Sequence, residues 1–158
     1  MELNEIVQAF AEEFGIKSIP ADENGAYNLE IDGIGIMLAT IGEGTQLGMF
    51  AELGEPPDEG REILYRAFLE TMAPGEGVES IMFSIPPSTG RIVMSRTDSL
   101  DSTDYAAFKE RLESFVNLAE EWRRNIADIP MLSQKVGEAV KVMKDESREL
   151  GESGFMRV

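Results

Sequence analysis

The chain has 158 residues, of which 42% are hydrophobic, and its formal net charge is −16. This length and composition predict one folded domain with a buried core and exclude a disordered chain. The negative charge argues against nucleic acid or an anionic membrane surface as a partner, because both bind through clustered Lys and Arg. Since the sequence has no His and no Cys, it excludes disulfides, the usual zinc sites and Ser–His or Cys–His nucleophiles.

The first third of the chain predicts a helix followed by three strands. Apolar residues recur at helical spacing from about Leu3 to Phe14. Apolar and polar residues then alternate over Tyr27–Ile31, and a more apolar run covers Ile34–Ile41. Between these two runs, Asp32-Gly33 predicts a two-residue hairpin turn, because both residue types tolerate positive φ. A third strand follows the Gly42-Glu43-Gly44 turn, and its apolar residues share one face: Leu47, Met49, Ala51 and Leu53.

The middle of the chain predicts a second helix and two more strands. Gly54–Pro57 breaks the sheet, and helical spacing resumes over about Glu59–Met72. The Pro74–Gly77 segment ends that helix. Alternating apolar residues then indicate a strand at Ile81, Phe83 and Ile85 and another at Ile92 and Met94.

A long amphipathic helix is the strongest pattern in the sequence. The segment Ser99–Ile126 has a polar start and then about six turns in which apolar residues recur every three or four positions. Asp101 or Ser102 is the predicted N-cap, with Asp104 well placed at the positive helix end. A tail with a weaker helical stripe follows Pro130, and the last residues, Gly151–Val158, are predicted to fray.

Carboxylates are the only groups that offer catalytic chemistry. Asp98 and Asp101 lie near the start of the long helix, and Glu120-Glu121 lie near its end. A carboxylate-based hydrolase needs two acids held across a cleft in different environments, so capping and solubility explain these residues better. We expect no catalytic residue, no metal site and no cofactor. The N-terminal sequence MELNEIVQAF lacks the basic start of a signal peptide, so we expect a cytoplasmic protein that does not insert into a membrane.

The order of these elements resembles the class I type III secretion chaperones of the Tir-chaperone (CesT-like) family. The resemblance rests on four segments: the hairpin YNLEIDGIGIML, the strand and breaker LGMFAELGEPP, the strand pair ESIMFSI…GRIVMSR and the helix LDSTDYAAFKERLESFVNLAEEWRRNI. The resemblance implies an α+β fold, with helix, three strands, helix, two strands and helix around a twisted, mainly antiparallel sheet. We expect this chaperone-like domain over residues 1–128 and a partly disordered helical extension over residues 129–158.

The resemblance also implies a function. Such chaperones form homodimers and bind the N-terminal segment of a secreted effector in extended form, which keeps the effector competent for secretion. The alternative is a stand-alone interaction or regulatory domain of the same fold without a secretion role. The expected effector-binding residues lie on helix one and the adjacent hairpin: Ile6, Phe10, Leu29, Ile31, Ile36 and Leu38. The expected dimer contact lies on helix two and the fourth strand: Ile63, Ala67, Phe68, Ile81 and Phe83.

Overall fold

The structure, a computed structural model, describes residues 1–75 and 80–154, with side chains described up to residue 148. Its three helices and five strands follow the predicted order. They are α1 (Leu3–Glu13), β1 (Tyr27–Ile31), β2 (Ile34–Ile41), β3 (Gln46–Gly54), α2 (Arg61–Thr71), β4 (Ile81–Ser84), β5 (Ile92–Ser99) and α3 (Tyr105–Gly154). No helix of the described residues is long and apolar enough to cross a membrane.

The five strands form one antiparallel sheet in the order β1-β2-β3-β5-β4, so β1 and β4 are its two edges. The predicted hairpin turn joins β1 to β2, with φ of 53° at Asp32 and 75° at Gly33. Positive φ at both central residues is the geometry that matches the twist of paired strands. The turn therefore fixes the register of β1 on β2, in which Leu29 lies beside Ile36.

One face of the sheet is buried beneath the helices. Side chains from α1 and α3 pack on alternate residues of the central strands, and Phe108 and Phe115 of α3 are almost completely buried. The opposite face carries the intervening side chains, including Met37 at 37% and Met82 at 61% exposure. This separation of buried and exposed faces follows from the two-residue period of a strand.

The long helix begins one turn later than predicted. Its N-cap is Asp104, whose Oδ1 accepts a hydrogen bond from the Ala107 N–H at 2.8 Å, so the predicted caps Asp101 and Ser102 were wrong. Thr103 explains the shift, because its buried hydroxyl donates to the Ser99 carbonyl oxygen at 2.6 Å and holds the preceding turn together. The chain reaches the helical conformation only after that turn.

Two helix boundaries also differ from expectation. The second helix starts at Arg61, because Gly60 at its N-cap has a left-handed φ of 79° that no helical residue adopts. The third helix continues through Pro130 to Gly154, so one helix crosses the predicted boundary between residues 128 and 129. The division into a domain and a partly disordered extension stays a prediction. Part of the Pro74–Gly77 segment, which was predicted to end the second helix, falls in residues 76–79 and lies outside the described residues. The same holds for residues 155–158 of the predicted frayed end.

Candidate functional site

An open groove of about 720 Å³ lies where α1, the edge strand β1 and α3 meet. Helix α1 and the segment after it form one wall, β1 forms the second and α3 forms the third. The apolar lining residues are Phe10, Phe14, Ile16, Ile19, Leu29, Ile31, Leu112 and Val116. The polar lining residues are Asn28, Glu30, Asp32, Lys109, Glu113 and Asn117. Apolar side chains with polar ones around them are typical of a site that binds an apolar ligand.

The apolar lining has a buried floor and a raised, exposed lip. Leu112 and Val116 of α3 are each 3% exposed and belong to the core. Phe14 is 59% exposed and Ile16 is 43% exposed, although both are large apolar residues. The Phe14 ring packs against the Phe10 ring, with 4.6 Å between ring centroids. The groove therefore offers an apolar surface that the chain itself leaves uncovered.

The β1 wall also offers unpaired backbone groups. Ile31 and Ile34 flank the two-residue turn and face each other across the hairpin, and in such a turn this pair exchanges hydrogen bonds. Because successive residues of an antiparallel strand direct their backbone groups to opposite sides, Asn28 and Glu30 direct their N–H and C=O groups away from β2. Asn28 lies beside the antiparallel bridge that joins Ala21 to Tyr27 on this side of β1. The open part of the edge is therefore at Glu30, where an extended segment can add as a sixth strand.

A three-residue cluster fastens α1 to α3 at the rim of the groove. The Glu13 carboxylate accepts hydrogen bonds from the Tyr105 hydroxyl and from the Lys109 ammonium, the latter at 2.8 Å. The hydrogen bond from Lys109, and then that from Tyr105, lower the pKa of Glu13. Burial, with a further contribution from the Glu13 carboxylate, raises the pKa of Tyr105 to about 12. The only cation among the groove-lining residues that the structure describes is therefore already paired.

The groove contains half of the effector-binding residues expected from the sequence. Phe10, Leu29 and Ile31 line it. Ile6, Ile36 and Leu38 do not, because each is at most 1% exposed and lies in the core. Contact of these three with a partner stays a prediction, and in this structure their side chains belong to the core beneath α1 and α3.

The remaining apolar groove residues were not among those expected from the sequence to bind an effector. Phe14 and Ile16 flank Gly15 just beyond the end of α1, where apolar residues continue although the helix has stopped. That continuation is a usable signal for an exposed apolar lip. Leu112 and Val116 belong to the predicted stripe of α3, but the stripe gives no information about which of its members meet the groove.

A family model places the chain among known proteins. The model of the Tir chaperone protein (CesT) family matches residues 5–123, which contain every strand of the sheet and all the residues that line the groove. This chain belongs to the CesT family. The family is one of chaperones, as the resemblance of the sequence implied. No individually curated protein is similar enough in sequence to match the chain.

Solved structures share the fold of this CesT-family chain. A chain in the structure of the HopA1–SchA chaperone–effector complex matches with a TM-score of 0.63 and 13% identity, over 76% of this chain and 91% of that one. A chain in the crystal structure of the Yersinia pestis type III secretion chaperone SycH with a stable fragment of YscM2 matches with a TM-score of 0.57 and 23% identity, over 75% and 97%. A chain in the ExoU–SpcU heterodimer from the Pseudomonas aeruginosa type III secretion system has a TM-score of 0.58 and 12% identity, over 80% and 96%.

The residues expected at the dimer contact of this CesT-family chain divide into two groups. Phe68 of α2 stacks on Phe83 of β4 with 4.3 Å between ring centroids, and both rings contact Trp122 of α3. With Ile81, these two phenylalanines are at most 9% exposed and belong to the core of the chain. Ile63 and Ala67 on α2 are only half-buried. Of the five, these two are the ones that a second copy can reach.

The candidate catalytic carboxylates of the sequence do not form an acid–base pair. Asp98 accepts two hydrogen bonds from Arg96, at 2.7 and 3.1 Å, and lies 3.6 Å from Arg111. Asp101, Glu120 and Glu121 are exposed and belong to different surface positions. Within the part of the chain that the structure describes, no group of three or more Asp and Glu residues is arranged to hold a metal ion. The arrangement of Asp98 is that of a structural ion pair.

Proposed function

We propose that this chain is a type III secretion chaperone whose groove between α1, β1 and α3 holds the N-terminal segment of a secreted effector in extended form. The observation that carries the proposal is the combination of an exposed apolar lip, formed by Phe14 and Ile16, with the open backbone edge of β1 at Glu30. The family match and the similarity to a chain of the HopA1–SchA chaperone–effector complex support it.

In this proposal the effector segment adds to β1 as a strand and places alternate side chains in the groove. The backbone of the segment pairs with Glu30, while its apolar side chains contact Phe10, Leu29 and Ile31. Each well-buried anchor contributes about 1.5–3 kcal/mol before the segment's ordering is subtracted. Because a free segment of this kind is disordered, part of the gross binding free energy offsets its loss of conformational entropy.

The proposed activity requires binding and release without catalysis. The chain has no His or Cys, and Asp98 is bound by arginines. We propose a cytoplasmic site of action, because an effector must be held there before it enters a secretion apparatus. No cofactor is needed for a groove that works through apolar contacts and backbone hydrogen bonds.

We also propose that two copies associate through α2 and the edge strand β4. A β4 edge that stays unpaired would be open to indiscriminate pairing, and α2 carries Leu69 at 68% exposure beside the half-buried Ile63 and Ala67. A contact there lies on the opposite edge of the sheet from β1. Dimerisation therefore leaves the groove free in both copies.

The groove is tested with a double variant and a control variant. The ligand is the N-terminal segment of an effector encoded in the same genome as this chain. The double variant Phe14→Ser with Ile31→Ser removes one residue from the lip and one from β1, and calorimetric titration is expected to show affinity at least tenfold lower. Val136→Ser is the control, because Val136 on α3 is 53% exposed, close to Phe14, and lies outside both the groove and the proposed dimer contact. Melting curves establish that all variants remain folded.

Unchanged affinity in a folded Phe14→Ser, Ile31→Ser double variant would rule out the groove as the binding site. The competing role, an interaction domain without secretion, is separated by a secretion assay. Deleting the gene should abolish export of the bound effector while the apparatus still exports others. Export that continues normally would favour the competing role.

A further inference from the structure

We infer that the segment held in the groove alternates apolar residues with Lys or Arg, so that the chaperone selects basic amphipathic strands. The inference rests on the proposed function and specifies the chemistry of its partner. It comes from the charged residues that surround the apolar lining. Three of them are negative, Glu30, Asp32 and Glu113, and one, Lys109, is positive.

The rim of the groove has an excess of unpaired negative charge. The Lys109 ammonium is held by Glu13 at 2.8 Å, so it is not free to neutralise a lining carboxylate. Among the ion pairs found in residues 1–75 and 80–148, none includes Glu30, Asp32 or Glu113, and all three are exposed. An incoming strand therefore meets three carboxylates around an apolar floor.

The position of Glu30 determines where the basic residues of the strand belong. The side chains of Leu29 and Ile31 face the groove, while that of Glu30 lies between them in sequence and projects from the opposite face of β1. In an added strand, a residue directly opposite Glu30 has its Cβ about 4.5–5.5 Å away, where unlike charges attract. Its two neighbours point into the groove, so the favoured pattern is apolar, basic, apolar.

Glu113 extends the same preference to the α3 wall. It lies one residue after Leu112, which forms part of the groove floor, and is exposed on the groove side of α3. A Lys or Arg can lay its methylene stem over the apolar lining and place its charged end beside this carboxylate. An acidic segment would meet repulsion at both walls, and the net charge of −16 would slow its approach further.

The test uses three synthetic peptides of about ten residues, in which Leu and Val at alternate positions are interleaved with Lys, Gln or Glu. Fluorescence anisotropy with the full chain is expected to show the Lys peptide binding roughly tenfold or more tightly than the Glu peptide. The preference should shrink as salt is raised, because exposed charges are screened. Glu30→Gln with Glu113→Gln should weaken the Lys peptide severalfold and leave the Gln peptide unchanged.

A matched double variant separates the rim from the overall charge. Glu43→Gln with Glu59→Gln removes two exposed carboxylates outside the groove lining and should keep the full preference for Lys. Equal binding of the three peptides, or equal loss in both double variants, would overturn the inference. If all three peptides bind alike and Ile31→Ser abolishes binding, the groove stands and only its charge selectivity fails. If none binds, the proposed function fails with it.

Discussion

The guanidinium of Arg123 donates a hydrogen bond to the carbonyl oxygen of Gly33, 3.1 Å away, in the turn between β1 and β2. Its second terminal nitrogen donates to the Glu52 carbonyl oxygen in β3 at 2.9 Å. One side chain of α3 thus holds the turn and the central strand at a fixed separation. Because β1 forms a wall of the groove and depends on this turn for its register, Arg123 supports the site from a distance.

Replacing Arg123 with Ala should lower the free energy of unfolding by about 1–2 kcal/mol, since two charge-assisted hydrogen bonds to carbonyl oxygens are lost. Arg124→Ala is the control, because Arg124 is exposed and the substitution removes the same charge. It should change stability by less than about 0.5 kcal/mol. Urea denaturation measures both variants, and equal effects would mean that net charge alone accounts for the loss.

The ring cluster of Phe68, Phe83 and Trp122 should contribute to folding of the single chain. Phe68→Ala is expected to destabilise the protein by about 3–5 kcal/mol, because it leaves a cavity between α2, β4 and α3. Met131 on α3 is 52% exposed, and Met131→Ala should change stability by no more than about 0.5 kcal/mol. Thermal or urea unfolding compares the two, and similar losses would argue against the buried cluster.

Gly60 should be intolerant of a side chain for two separate reasons. Its φ is 79°, and an added Cβ would lie 2.8 Å from Cγ2 of Ile129 on α3. Gly25 has nearly the same φ of 78° with nothing near its added Cβ, so Gly25→Ala isolates the backbone strain of about 1–2 kcal/mol. Gly60→Ala should be worse by a further 1–3 kcal/mol or so. Equal unfolding midpoints for the two variants would contradict the close approach to α3.

The Glu13–Tyr105–Lys109 cluster should make stability depend on pH at both extremes. The pKa of Glu13 is lowered in the folded chain, so its contribution is present above the ordinary carboxyl pKa of 4.5 and is lost as the pH falls through the lower folded value. The pKa of Tyr105 is raised to about 12, so its contribution is complete below pH 10 and disappears between about pH 10 and 12.

Tyr105→Phe provides the measurement. The variant should be less stable than the wild type near pH 7, and the difference should shrink both in acid and between pH 10 and 12. Absorbance titration of tyrosinate should show one group near pH 12 in the wild type that is missing from the variant. A stability difference that is independent of pH would show that the hydroxyl does not interact with Glu13 in the way its geometry indicates.

The proposed dimer contact is tested at Ala67, which is half-buried on α2 and, unlike Phe68, is not part of the hydrophobic core. Ala67→Glu should place an uncompensated charge in the contact and shift the protein from dimer to monomer at micromolar concentration. Asn125→Glu adds the same charge on an exposed part of α3 and should leave the dimer intact. Light scattering distinguishes the species, and a monomeric wild type would contradict the contact itself.

Local chemistry explains which parts of the fold were predictable. Residue types and their spacing were enough to predict the Asp32-Gly33 turn, the alternation in β1 and the apolar stripe of α3, and the structure confirms them. The N-cap of α3 was missed because four polar residues compete there, and burial of Thr103, a tertiary effect, decides between them. Likewise, the sequence predicts Gly60 inside the first turn of α2, but its left-handed φ places it at the N-cap, before the helix begins.

The groove was only half predictable for a different reason. A helical stripe shows that Ile6 and Phe10 share a face, but burial depends on where α3 crosses that face. In the structure Ile6 is completely buried and Phe10 reaches the groove. Conversely, Phe14 continues the helical spacing of α1, but it is exposed because α1 ends at Glu13. Periodicity identifies a face, whereas the choice between core and groove needs the neighbouring elements.

The helix that completes the core is also the last part of it to leave the ribosome. Until the segment beginning at Tyr105 is synthesised, the inner face of the sheet lacks Phe108 and Phe115, its two largest fully buried side chains. A nascent chain that ends before this point exposes apolar strands and an unfilled core. We therefore expect folding to be a late, cooperative event in which α1 docks only after α3 has been synthesised.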